Sequence, residues 1–177
     1  MSLIRSVVDR LFLVAATLAF LAIVAAMGLT VADIVLRLAA RITALAGGRP
    51  GWAVPGLVDL TQLAVMTAAS LAIAVAFHRG THVAVDLLTS GLPTGTRRLL
   101  AVVAALGGAA LAALCLYTGV GEMRAQLQYT TLSATLGISY VWYWVPLIAG
   151  LALSVIAALL AAVELWLGTR PMQLGDV

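Results

Sequence analysis

The sequence predicts an all-α integral membrane protein: four transmembrane helices forming one domain, residues 1–177. Three observations predict it. Hydrophobic residues make up 63% of the chain and charged residues only 10%, with a mean hydropathy of +1.12. A soluble domain carries about 25% charged residues, so this chain has too few to cover a water-facing surface. The charges that exist cluster between long charge-free stretches, each close to the roughly 20 residues needed to cross a bilayer core. Finally, the chain lacks the ten-residue segments of alternating polarity expected of a membrane barrel. Backbone groups in lipid must be satisfied internally, so the spans are helices. The composition excludes a soluble enzyme and a disordered chain. It also excludes a nucleic-acid module, because no clustered basic residues alternate with aromatics.

The first span is expected over about 11–32, since Leu11 to Ala32 carries no charge. Arg5 and Arg10 before it resemble a secretory n-region, but the apolar run is too long and lacks a small-x-small cleavage site. Asp33, Arg37 and Arg41 follow at four-residue spacing. That spacing extends the helix past the bilayer and pairs Asp33 with Arg37 on one face. Gly47-Gly48-Arg49-Pro50-Gly51 breaks it. The second span is expected over about 57–77, with Asp59 at its mouth, where a carboxylate suits a helix N-terminus. Next, Val83, Val85, Leu87 and Leu88 beside His82 and Asp86 predict a short interfacial helix. The third span is expected over about 99–120. A polar stretch from Gln126 to Thr135 forms the third loop, and the fourth span runs over about 140–164. Pro146 lies near its start, where it costs least. Trp142, Tyr143 and Trp144 read as an aromatic belt, with Trp166 at the opposite interface.

All ten basic residues are Arg. Arg5, Arg10, Arg79, Arg97, Arg98 and Arg170 fall on one side of the four spans. Arg37, Arg41, Arg49 and Arg124 fall on the other. The excess of Arg places both termini in the cytoplasm.

Ionisable residues buried deep in a span mark transport sites, and these spans have none at mid-depth. No paired Gly/Pro interruption unwinds a helix around a substrate. Small residues share faces: Ala15, Ala19, Ala22 and Ala26; then Ala104, Gly108, Ala112, Cys115 and Gly119; then Gly150, Ser154, Ala157 and Ala161. Such stripes let helices pack closely in lipid, although the 34 Ala residues also produce them by chance. His78 and His82 are four apart, but no third ligand is available to complete a metal site. The lone Cys115 acts as a small apolar residue. Catalytic, cofactor-binding and metal sites are all expected to be absent. Two rivals remain: a haem- or quinone-binding membrane anchor, and a small independent multidrug-type carrier. The first needs a His from each of two helices, and the second a carboxylate deep in the first helix.

Several segments resemble one family. Arg79-Gly80-Thr81-His82-Val83-Ala84-Val85-Asp86 resembles an R-x-x-H-I/V-x-V-D segment that follows the second span in the DctQ-like small membrane subunit of tripartite ATP-independent periplasmic (TRAP) transporters. Asp33-x-x-x-Arg37 resembles that family's Arg after helix one. Asp59 stands where the family commonly has Glu. Thr135 to Pro146 resembles T-L-x-I-P-x-W-x-x-x-x-P, with Ser139 in place of the first Pro and the aromatic displaced. The resemblance covers about residues 10 to 165.

It implies a non-enzymatic accessory subunit of the bacterial inner membrane. Such a subunit scaffolds a large membrane subunit that carries substrate with sodium. A periplasmic substrate-binding protein, delivering an organic carboxylate or sulfonate, docks on the pair. Membrane lipid is the other expected partner. Arg37, Arg41, Arg49, Glu122 and Arg124 then become docking candidates for the binding protein. Asp59, Arg79, His82, Asp86, Trp142 and Pro146 are family-motif residues with structural roles.

Overall fold

The computed structural model describes residues 2–48, 51–79, 93–129 and 131–168, with residues 2–5 as backbone. Arg49, His82, Asp86 and the expected interfacial helix lie outside the described residues. Four helices follow in order: α1 (Ser2–Leu45), α2 (Leu57–Arg79), α3 (Thr94–Tyr129) and α4 (Val141–Leu167). All four are long and apolar enough to span a membrane.

Two helices run well past the expected spans. With 44 residues, α1 is about 66 Å long at ~1.5 Å per residue, against a hydrocarbon core of about 30 Å. It ends where Gly47, at φ 85°, turns the chain and Gly48 N–H donates to Thr43 O at 3.0 Å, a glycine stop of the usual kind. The third helix continues to Tyr129 and takes in Glu122, Arg124, Gln126 and Gln128. The first part of the expected polar loop, Gln126 to Tyr129, is therefore helix. Charged and amide side chains end a span but not a helix, since Glu, Arg and Gln are good helix formers.

The principal packings are α1 on α2, α2 on α4 and α4 on α3. The order in space is thus α1–α2–α4–α3, an open row with α2 and α4 at its centre. The seams are narrow. From α1, Phe12, Ala15, Ala19, Ala26 and Asp33 are buried along one face. From α4, Gly150, Ser154, Ala157 and Ala161 are buried, as their shared stripe predicts. The α3 stripe is confirmed only in part: Ala112 and Gly119 are buried, but Ala104 and Cys115 are exposed.

The central seam is locally tight at Gly150. A Cβ on Gly150 would lie 2.5 Å from Ser70 O, so only glycine fits there. The Ser70 hydroxyl shares its one proton between Met66 O of its own helix at 2.8 Å and Pro146 O across the seam at 3.0 Å. Elsewhere, helical hydroxyls donate to their own helix: Thr17 to Leu13 O, Thr30 to Ala26 O, Thr67 to Leu63 O and Ser154 to Gly150 O. This i−4 bonding satisfies a hydroxyl where water is absent.

Candidate functional site

Two carboxylates organise the end of the row that carries the α1–α2 and α3–α4 connections. On α1, Asp33 is 4% exposed. Its Oδ1 accepts from Val54 N–H at 2.9 Å and its Oδ2 from Arg37 Nε–H at 2.5 Å. The first bond ties the returning loop to α1, and the second neutralises a buried charge. The Arg37 side chain remains 64% exposed.

Asp59, in the first turn of α2, is 6% exposed. Its Oδ2 accepts from the Ser133 and Thr135 hydroxyls and from Leu136 N–H at 2.9 Å. An ionised carboxylate only accepts, so a ring of donors suits it. The donors belong to a short hairpin over residues 131–140. Ser133 N–H donates to Ile138 O at 2.8 Å and Tyr140 N–H to Thr131 O at 3.2 Å, with Gly137 at φ 66° in the turn. Behind it, Tyr143 OH donates to Asp59 O at 3.2 Å.

Gly56 completes the lock. Its φ of 67° is left-handed, and a Cβ there would overlap the Leu136 side chain. Glycine thus meets both a backbone and a space requirement. The loop after α1 and the hairpin before α4 therefore rest on each other, fixed from one side by Asp33 and from below by Asp59.

The opposite end is simpler. His78 stacks on Phe12, with ring centroids 4.1 Å apart, and its Nε2 lies 3.2 Å from Asp9 Oδ1. Arg98 Nε–H donates to Leu165 O at 2.5 Å, capping α4 beside the left-handed Gly168. A cation at a helix C-terminus is favourable. His78 thus joins α1 to α2. Among the described residues, no three His, Cys, Asp or Glu side chains gather as a metal group.

The sequence-derived candidates fall as follows. Arg37 and Arg41 lie on the C-terminal half of α1, while Glu122 and Arg124 lie exposed on the extension of α3, not in a loop. They flank the locked end from the two edges of the row. Arg79 is the exposed last residue of α2. Trp142 is exposed as a belt residue should be, but Tyr143 is buried and Trp144 packs beside Gly119; the expected three-residue belt reduces to Trp142. Ser133, Thr135, Gly56 and Val54 are not foreseen as partners. The only sequence signal for them is a cluster of hydroxyls before the fourth span.

These features define a class first: a polytopic helical membrane protein whose described interior is rich in small residues and whose buried polar side chains have hydrogen-bond partners. Among the described residues, no buried side-chain nitrogen or oxygen lacks a partner. The family follows from sequence comparison. Residues 26–168 match the family described as "Tripartite ATP-independent periplasmic transporters, DctQ component", and the chain belongs to it. It is the small membrane subunit of a TRAP transporter. No individually curated protein matches the chain.

Proposed function

We propose that this subunit is a fixed scaffold for the large membrane subunit, which carries an organic carboxylate or sulfonate together with sodium. The observation that supports this most is the closed interior. The seams are lined mostly by Ala, Gly and Ser, with Phe12 and Leu71 as the larger apolar members between α1 and α2, and the helical hydroxyls bond to carbonyls of the chain itself. A carrier needs polar groups free to grip a solute at mid-depth. A scaffold needs close, inert seams, and an open row exposes a broad apolar perimeter to a membrane partner and to lipid.

With both termini cytoplasmic, the locked end faces the periplasm and receives the substrate-binding protein. Arg37, Arg41, Glu122 and Arg124 form its charged rim, with Arg49 on the same connection. Rim charges chiefly set encounter rate and partner choice. The test is charge reversal in the assembled three-component system. Arg37→Glu and Arg124→Glu are each expected to weaken uptake while both membrane subunits still co-purify. Arg37 also neutralises Asp33, so Arg124 is the cleaner probe. Normal uptake by both variants would remove the docking role, and loss of co-purification would move these residues to the interface between membrane subunits.

A further inference from the structure

The carboxylate of Asp59 sits under the α3–α4 hairpin in a way that the demands of its own helix do not explain. A carboxylate in a first turn stabilises a helix through the nearby N–H groups. Here Oδ2 is turned outward to three donors of one hairpin, the Ser133 and Thr135 hydroxyls and Leu136 N–H. Those donors lie more than 70 residues along the chain. Beside these bonds, the hairpin has its own backbone bonds, the contact of Leu136 with Gly56, a Thr131 hydroxyl bond to Gln126 of α3, and the Tyr140 ring beside Tyr143 of α4; Asp59 is the charged group among these partners. The hairpin's outer side is open: Leu132 is exposed, although it lies between spans rather than on a lipid-facing helix. The same hairpin stands between the charged extensions of α1 and α3.

We propose that Asp59 is a positioning residue for docking: its charge holds the 131–140 hairpin preorganised at the end that receives the substrate-binding protein. This rests on the docking reading above. A loop ordered before contact avoids the entropy of ordering it on contact. Only a charged acceptor accommodates three donors on one oxygen without loss. Asn supplies a neutral oxygen, a weaker acceptor for the three donors that meet on Oδ2. Glu keeps the charge on a stem one methylene longer.

The experiment uses both membrane subunits reconstituted in liposomes, with uptake measured against the concentration of substrate-loaded binding protein. Asp59→Asn is expected to raise the half-saturating concentration about five-fold, the cost of ordering one or two side chains on binding. The maximal rate and co-purification of the membrane subunits should hold. Asp59→Glu should return half-saturation toward the wild-type value. If Asp59→Asn fails to assemble, the double variant Ser133→Ala with Thr135→Val removes two donors and leaves the carboxylate in place; it should show the same rise. An unchanged half-saturation in these variants, with Arg124→Glu still raising it, would overturn the positioning role and leave docking intact. If Arg124→Glu and Arg41→Glu also leave it unchanged, the docking reading fails and the positioning role falls with it. A fall in maximal rate alone, without rescue by Glu, would assign Asp59 to folding only.

Discussion

Single residues at the locked end do work that their sequence context hardly announces. Gly56 is one glycine among 16, yet it combines a left-handed φ of 67° with the Leu136 side chain where a Cβ would sit. Gly56→Ala is therefore expected to destabilise the subunit by about 1–2 kcal/mol, the cost of an L-residue in the left-handed region, plus whatever displacing Leu136 adds. Thermal unfolding of the purified subunit in detergent measures it, and an unchanged midpoint would contradict the assignment. Asp59 is legible in the sequence as a carboxylate at a helix mouth. Its partners are not, because Ser133 and Thr135 meet it only after α4 has packed on α2. Asp33 is half legible: its bond to Arg37 follows from four-residue spacing, whereas its bond to Val54 N–H depends on the path of the returning loop.

The helices themselves could be read from the charge-free stretches, since lipid selects for apolar length and little else. Their ends could not. A charge marks where an apolar span stops, but α1 and α3 stay helical through Arg37, Arg41, Glu122 and Arg124 because Arg and Glu favour helix. Stripes of small residues predicted the α4 seam correctly and the α3 seam only partly. In a chain so rich in Ala, the stripe that is buried depends on which neighbour arrives. The α2–α4 seam is the most demanding element contact, because Gly150 lies against the Ser70 backbone. Gly150→Leu should separate these helices and cost about 1–3 kcal/mol of overpacking. It should also weaken co-purification with the large subunit, since the centre of the row would widen. A variant that retained full thermal stability and full co-purification would mean that the seam is looser than its geometry shows.

The whole molecule is an open row rather than a closed bundle. Among the described helices the principal packings leave α1 and α3 at the edges with long apolar flanks, although Phe12 of α1 also reaches Ala157 of α4 and Phe77 of α2 lies against Gly108 of α3. A row of this kind suits a subunit that broadens a larger membrane protein. Membership of the DctQ family gives that partner its identity as a TRAP transporter. At the locked end, two buried carboxylates make the connections rigid where the charged rim begins. At the opposite end, the Phe12–His78 stack and the Arg98 cap hold the helix termini together. Tied connections at both ends, with small residues along the seams between them, are what the proposed scaffold role asks of the subunit.

The most direct measurement is solute and sodium flux into liposomes carrying this subunit alone, beside liposomes carrying it with the large subunit. An inert frame predicts no flux above empty liposomes for the first and coupled, binding-protein-dependent uptake for the second. Accumulation of substrate or sodium by the lone subunit would contradict it.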